Sequence, residues 1–172
     1  KYAFLYDHEK LTNFNYKIGK TKFLNLDELK SFLLSSKSNL SLLAISGYKS
    51  LYFLENIIQN TDNLGIVSKE AIVSAGHIFQ KENYFNKTNI FPIDSEHFSL
   101  FELLNKINHK TKIKKVILTA SGGPFYKKKF NSLKNIKFQQ AIKHPKWKMG
   151  YKNSIDSATL VNKCLELSLI HI

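Results

Sequence analysis

The 172-residue chain contains no arginine, although 26 of its residues are basic. All 26 are therefore lysines, and the formal net charge is +13. Dense positive charge attracts nucleic acid through counterion release. Arginine, however, is the residue that pairs bidentately with guanine or phosphate and stacks on bases. Its absence argues against specific nucleic-acid recognition, and the abundance of lysine, asparagine and isoleucine is typical of A+T-rich coding.

Cysteine is also scarce, because Cys164 is the only one. A single cysteine excludes an internal disulfide framework and a multi-cysteine metal site. No apolar run approaches the roughly 18 residues that a membrane-spanning helix needs. The first ten residues, KYAFLYDHEK, lack the pattern of a secretory signal peptide. We therefore expect a soluble protein without membrane partners, and a single cysteine fits a reducing compartment.

Short apolar runs alternate with longer amphipathic stretches along the chain. The runs at 2–6, 40–46, 64–68, 90–94 and 116–121 are predicted to be buried strands. The stretches 26–34, 49–59, 69–79 and 99–107 are predicted to be helices. This alternation predicts an α/β fold with a parallel sheet. The pattern changes near Asp94, and we predict two domains, 1–93 and 94–172.

Polar clusters follow the predicted strands, where parallel sheets bind their ligands. Asp94 and Glu96 stand at i and i+2, so a strand continuing through them would direct both carboxylates to one face. With Glu166 they would complete an oxygen set for Mg²⁺ or Mn²⁺. Ordinary strand-end or capping roles are the alternative for such a triplet. His97 is expected to orient the ligands instead of binding the ion.

Other residue types point to an anionic ligand. Ser121 precedes two glycines, in a turn that could present N–H groups to an anion or simply end a strand. Lys69 opens a predicted helix, where the helix dipole favours anions, and Glu70 could complement that dipole. Trp147 lies on a glycine-flanked loop, which is typical of a lid that closes over substrate and also of a loop anchored by a buried tryptophan.

Four segments together resemble the 1-deoxy-D-xylulose 5-phosphate reductoisomerase family. They are SKEAIVSAG at 68–76, PIDSEH at 92–97, LTASGGPF at 118–125 and HPKWKMGYKNSIDSATLVNKCLE at 144–166. The resemblance implies NADPH- and divalent-metal-dependent conversion of 1-deoxy-D-xylulose 5-phosphate to 2-C-methyl-D-erythritol 4-phosphate, in non-mevalonate isoprenoid biosynthesis. The ion would be Mg²⁺ or Mn²⁺, with Co²⁺ as a further option, and the whole protein would be a homodimer. The resemblance also implies a location in the bacterial cytoplasm, or in a plastid-type organelle if the source is eukaryotic.

The resemblance also implies residue roles. The metal ligands would be Asp94, Glu96 and Glu166. The substrate contacts would be Lys69, Ser95, Glu96, Ser121, His144, Ser157, Asn162, Lys163 and Glu166, of which Lys69, Glu96, His144 and Glu166 would be catalytic. The NADPH contacts would be Ser68, Glu70 and Gly150. The mobile lid would carry Trp147 and Met149.

Several features depart from the family pattern. Ser68 replaces an asparagine, Ala71 a serine and Cys164 a glycine, while Tyr151 and Asn153 change the character of the lid region. The glycine-rich turn that opens the family's Rossmann-like domain is missing, as is the carboxyl-terminal helical domain, and residues 167–172 leave the pattern. We therefore expect an internal fragment: the end of an NADPH-binding domain (1–93) followed by the start of a catalytic domain (94–172).

Two other functions remain open from the sequence. One is a different metal-dependent NADP dehydrogenase that keeps the site but takes another substrate. The other is a basic domain that binds anions or nucleic acid.

Overall fold

The computed structural model describes residues 1–6, 19–82, 87–108, 112–146 and 148–169. The chain divides into two compact units, Lys1–Ile93 and Asp94–Ile172. We call them unit 1 and unit 2. No helix in the described part of the chain is long and apolar enough to cross a membrane.

Unit 1 is a mixed α/β structure built on parallel strands. A short pair joins β1 (Tyr2–Phe4) to β2 (Lys22–Leu24). A three-stranded sheet has the order β3 (Ser38–Leu43), β4 (Thr61–Ile66) and β5 (Asn89–Pro92), with all neighbours parallel. β4 is central, so its apolar residues are covered by helices on the faces of the sheet. Four of the five predicted strands are present, each with shifted ends.

Three helices cover these strands. Helix α1 (Leu26–Ser35) begins with a capping box in which Asn25 and Glu28 exchange side-chain to backbone hydrogen bonds of 2.9 Å. Helix α2 (Leu51–Gln59) follows a 3₁₀ turn at Gly47–Ser50. Helix α3 (Lys69–Lys81) follows β4 directly, so its amino terminus lies at the carboxyl end of the central strand.

The core of unit 1 lies between these helices and β3 and β4. Helix α2 contributes side chains at i, i+1, i+4 and i+5, and α3 contributes them at i, i+4 and i+8, which are the spacings of one helical face. The buried apolar residues of this core are Leu33, Leu43, Phe53, Leu54, Ile57, Ile58, Leu64, Ile66, Ala71, Ala75 and Phe79. This apolar core fixes the polar ends of β3 and β4 in space.

Unit 2 is helical in its described residues. It contains α4 (Ser95–Lys106), a 3₁₀ turn (Phe130–Leu133), α5 (Phe138–Ala141), α6 (Tyr151–Thr159) and α7 (Val161–Leu169). Leu160 joins α6 to α7 with φ 62° and ψ 9°, a left-handed conformation that is unusual for a bulky residue. This single residue ends α6 and starts α7 in a new direction.

The predicted strand at 116–121 is wrong. Residues 112–120 have no regular secondary structure, and the described part of unit 2 contains no strand. A strand exists only through hydrogen bonds to a neighbouring strand. The apolar run at 116–121 has no described partner strand, so it forms no ladder.

Candidate functional site

Asp94 and Glu96 stand at the start of a helix and not in a strand. β5 ends at Pro92, Asp94 is the N-cap of α4, and Glu96 lies in its first turn. The prediction that strand alternation would align the two carboxylates is thus wrong. Acidic residues are favoured at this position because the amino terminus of a helix carries a partial positive charge.

A third carboxylate nevertheless joins them. Asp94, Glu96 and Glu166 each offer one oxygen, and these oxygens all lie within 4.8 Å of one another. Glu166, on α7, is fully buried. Three carboxylates this close repel one another unless a cation or protons join them. Oxygen-only donors of this kind fit a hard divalent ion such as Mg²⁺ or Mn²⁺, so the residues present suit the metal that the sequence predicts.

Lys163 lies against two of these carboxylates. Its Nζ donates to Glu166 Oε2 at 2.6 Å and also to Glu96 Oε1. Burial raises the pKa of Glu96, but hydrogen bonds from Lys163 and Ser95 outweigh it and hold that pKa below its ordinary value. Burial likewise lowers the pKa of Lys163, yet Glu166 and Glu96 outweigh it and raise that pKa. Both shifts favour the charged pair.

Asn162 also binds the cluster, because its side-chain amide donates to Glu166 Oε1. The family resemblance implies that Asn162 and Lys163 contact the substrate. In the structure both side chains contact carboxylates of the cluster. They lie one and two positions after the start of α7, and Glu166 follows at i+4 and i+3, so one helical face brings the three together.

His97 connects Asp94 to α7. Its Nε2 lies 3.0 Å from the backbone carbonyl oxygen of Glu166, and its Nδ1 lies 3.0 Å from Asp94 Oδ1. A carbonyl oxygen only accepts, so Nε2 carries a proton. The ring is buried and both nitrogens face protein groups, as we expect for a histidine that orients ligands.

Ser121 and His144 form a second pair, with 2.9 Å between Ser121 Oγ and His144 Nε2. The backbone N–H of Lys146 donates to His144 Nδ1 at 3.2 Å. Nδ1 is therefore an acceptor, and in the neutral ring Nε2 carries the proton and donates to Ser121. A histidine arranged this way does not remove the serine proton. The pair therefore presents the Ser121 hydroxyl as a donor and is not arranged as a nucleophile with its base.

The glycines after Ser121 bring this loop against α6. Gly122 and Gly123 have backbone φ angles of 85° and 60°, which residues with a side chain rarely adopt. A Cβ on Gly123 would lie 2.8 Å from the backbone oxygen of Ser157. The turn therefore depends on glycine for both conformation and close approach. It places Ser121 and Ser157 on adjoining segments of unit 2.

A groove of about 290 Å³ begins at Ser95 and Glu96. Ser95 Oγ donates to Glu96 Oε2 at 2.5 Å. The rest of the groove lies between α4 and the segment 116–119, and it is lined by Ser99, Leu100, Leu103, Val116, Ile117, Leu118 and Thr119. Its polar end thus adjoins the carboxylate cluster.

The predicted NADPH contacts Ser68 and Glu70, and the predicted catalytic Lys69, belong to unit 1. Ser68 is the buried N-cap of α3, and Lys69 and Glu70 form its first turn. Ser68 Oγ lies 3.2 Å from Ser50 Oγ and donates to Glu70 Oε2 at 3.1 Å. The hydroxyl is therefore engaged within the protein, and Glu70 is held beside the helix terminus.

The predicted lid is only partly described. Trp147 lies outside the described residues. Met149 is half-buried, and its backbone oxygen accepts a hydrogen bond of 3.5 Å from Ser154. Gly150 is the N-cap of α6, and a Cβ there would meet no atom within 4 Å. Gly150 is thus not required by packing within the described structure.

Charge is unevenly divided between the units. Residues 94–172 contain 15 of the 26 lysines and five of the 13 acidic residues, a formal charge of +10. Three of those five acidic residues form the cluster. A strongly positive unit attracts anions over long range.

Comparison with known proteins identifies relatives of this chain. A family model described as the 1-deoxy-D-xylulose 5-phosphate reductoisomerase C-terminal domain matches residues 90–172. The reductoisomerase of Clostridium tetani is 41% identical over 176 residues, covering 99% of this chain and 46% of the relative. The reductoisomerase of Malacoplasma penetrans is 41% identical over 142 residues, covering 83% of this chain and 37% of the relative. The chain thus spans less than half the length of these curated relatives.

Solved structures show the same likeness. A DOX-P reductoisomerase in complex with NADPH, fosmidomycin and magnesium has a TM-score of 0.68 at 31% identity, covering 94% of this chain and 41% of that one. The reductoisomerase from Zymomonas mobilis in complex with NADPH has a TM-score of 0.70 at 27% identity, covering 99% of this chain and 44% of that one.

Fold and site together define a parallel α/β protein with a three-carboxylate candidate metal centre. Four independent sequence segments and the relatives above make the assignment specific. The chain belongs to the 1-deoxy-D-xylulose 5-phosphate reductoisomerase family.

Proposed function

We propose that this chain carries the metal and substrate site of an NADPH-dependent enzyme that converts 1-deoxy-D-xylulose 5-phosphate to 2-C-methyl-D-erythritol 4-phosphate. The observation that carries the proposal is the convergence of Asp94, Glu96 and Glu166 within 4.8 Å. The family relatives supply the identity of the reaction. Because those relatives are bacterial, we place the reaction in a bacterial cytoplasm.

Each unit has its own role in this proposal. Unit 1 is the Rossmann-like NADPH-binding domain, in which Ser68 and Glu70 at the amino terminus of α3 face the cofactor. Unit 2 belongs to the catalytic domain. The hydride comes from NADPH, so the protein supplies positioning and electrostatics. The whole protein is proposed to be a homodimer, which sedimentation velocity would test.

The carboxylates of Asp94, Glu96 and Glu166 would hold Mg²⁺ or Mn²⁺. A divalent ion bound there would act as a Lewis acid that polarises a carbonyl group of the substrate. Glu166 is fixed by Asn162 and by the contact of its backbone with His97, so its carboxylate needs little reorganisation.

The remaining residues of unit 2 would hold the substrate. Ser95 stands beside Glu96 at the polar end of the groove, where it can donate to a sugar hydroxyl. Ser121 is oriented by His144 as a donor, which suits a phosphate oxygen. Three further residues would donate to the substrate: Ser157, which lies on the segment that Gly123 contacts, and Asn162 and Lys163 on α7. The +10 charge of unit 2 favours an anionic substrate. Lys69, in unit 1, is proposed to contact the substrate hydroxyls.

The test is NADPH oxidation by the whole protein with 1-deoxy-D-xylulose 5-phosphate, with and without Mg²⁺, because this chain spans less than half the length of its curated relatives. Glu166→Gln keeps the shape of the side chain but removes a ligand charge, so turnover should fall by at least about 100-fold. Glu102→Gln is the matched control, because Glu102 pairs with Lys106 on the exposed part of α4. Full activity of Glu166→Gln would refute the metal assignment.

Substrate choice separates the proposal from its rivals. Oxidation of NADPH with unrelated keto acids, and not with the xylulose phosphate, would identify another metal-dependent dehydrogenase. Tight, sequence-dependent DNA binding that persists at high salt would identify a nucleic-acid-binding domain.

A further inference from the structure

Lys163 occupies a position that conflicts with its proposed role at a phosphate. Its ammonium contacts Glu96 and lies 2.6 Å from Glu166 Oε2. Both carboxylates belong to the three-carboxylate cluster. The Lys163 side chain is 17% exposed, and the Glu166 side chain is fully buried. The lysine is therefore the cation that neutralises two of the three candidate metal ligands.

An ammonium and a divalent ion compete for these two carboxylates. A carboxylate that binds Mg²⁺ or Mn²⁺ directs a lone pair at the ion, and Lys163 Nζ lies against one oxygen of each glutamate. Two cations drawn to the same small group of oxygens also repel each other strongly where water is scarce. Metal binding must therefore weaken or break the contacts of Lys163.

Lys163 can move without disturbing the rest of the site. Its stem is a flexible four-carbon chain, whereas Glu166 stays fixed through Asn162 and through the contact of its backbone oxygen with His97. Displacement therefore moves one flexible side chain and leaves the carboxylates in place.

We propose that Lys163 is an internal counter-cation that a divalent ion displaces, and that its release supplies the ammonium that binds the phosphate of the substrate. The inference rests on the proposed function and adds a coupling to it. Metal and phosphate each favour the state in which Lys163 has left the carboxylates. By linkage, each raises the affinity for the other by the same factor.

The first experiment measures Mn²⁺ binding to the full chain by electron paramagnetic resonance, in phosphate-free buffer. Lys163→Met keeps the length and removes the competing charge, so Mn²⁺ should bind at least about 5-fold more tightly. Lys106→Met, which loses the same charge on the exposed part of α4, is the matched control and should change the affinity little. Equal or weaker binding by Lys163→Met than by the control would overturn the proposal.

The second arm adds inorganic phosphate. Phosphate should tighten Mn²⁺ binding to the unaltered protein about 5-fold or more, and this effect should disappear in Lys163→Met. A phosphate effect that persists in Lys163→Met would assign the coupling to other donors and overturn the proposal.

A measurement on the unaltered protein avoids any folding defect of the variant. Reductive methylation followed by peptide mass spectrometry reports the accessibility of each lysine. Addition of Mg²⁺ should increase labelling of Lys163 at least about 3-fold, as expected for displacement of a paired amine, and should leave Lys106 unchanged. Unchanged labelling of Lys163 in protein that binds Mg²⁺ would refute the displacement. If the unaltered protein binds neither Mn²⁺ nor Mg²⁺, the proposed metal site itself fails, which is a separate result.

Discussion

Replacement of Gly123 by alanine tests how closely the Ser121 loop is packed on α6. Gly123 has φ 60°, and a Cβ there would lie 2.8 Å from the backbone oxygen of Ser157 and 3.3 Å from Cα of Ala158. The left-handed conformation costs a residue with a Cβ about 1–2 kcal/mol. The contact requires backbone movement, which adds about 1–3 kcal/mol, as for overpacking. We expect Gly123→Ala to lower the free energy of unfolding by about 2–5 kcal/mol.

Gly19→Ala is the matched control. Gly19 has φ 55°, nearly the same conformation, but a Cβ there would meet no atom of the described residues within 4 Å. Only the conformational cost of about 1–2 kcal/mol applies to it. The difference between the two variants therefore measures the contact with Ser157. Urea unfolding of both variants, followed by circular dichroism, gives the two values.

The same substitution should also affect ligand binding. Movement of the Ser157 backbone away from the added methyl group would separate Ser121 from Ser157, so inorganic phosphate should bind at least about 10-fold more weakly to Gly123→Ala than to Gly19→Ala. Isothermal titration calorimetry measures this difference. If the two variants lose equal stability and bind phosphate equally, the close approach of the loop to α6 has no energetic role and the reasoning is wrong.

Four further predictions concern the cluster and the helices that carry it. His97→Ala should weaken Mn²⁺ binding about 10- to 100-fold, while His77→Ala on the exposed face of α3 should not, as measured by electron paramagnetic resonance. Folding lowers the pKa of Glu96, so its contribution to stability is present above its unfolded pKa and is lost as the pH falls through the folded pKa. The midpoint temperature of thermal unfolding should therefore decrease below about pH 4.3. The raised pKa of Lys163 acts oppositely: its contribution is complete below its unfolded pKa of about 10.4 and is lost as the pH rises through the folded value. Leu160→Gly relieves a left-handed conformation at an exposed side chain, so stability should stay constant or rise by up to about 1 kcal/mol, whereas a larger loss in urea unfolding would contradict the strain.

The sequence predicted the elements whose signals are local. Helices α1, α2 and α3 begin within two residues of their predicted starts, because caps and apolar spacing lie within the helices themselves. β2 was missed because it has only three residues and depends on pairing with β1. The 116–121 prediction failed for the related reason that an apolar run does not contain its partner strand. Strand formation depends on distant parts of the chain, so a local pattern is insufficient to predict it.

The candidate site was predicted more completely than the contacts within it. The approach of Asp94 and Glu96 was expected from strand alternation, whereas the start of α4 provides it, and Glu166 was expected as the third ligand from the family resemblance. The link between Lys163 and Glu166 follows from their i,i+3 spacing and was visible in the sequence. The contact of Lys163 with Glu96 joins residues from different helices, and no local pattern contains it.

The buried side chains of unit 2 are polar, which bears on why Lys163 contacts the carboxylate cluster. In the described part of that unit the buried side chains are His97, Ser154 and Glu166, whereas the buried apolar core belongs to unit 1. A buried ion pair is weak evidence for stability, because desolvation of the charges offsets their attraction. Packing energy therefore does not account for Glu166 at this position. The exchange of Lys163 for a metal ion does account for it, because the carboxylate of Glu166 must lie within the cluster to contact either cation.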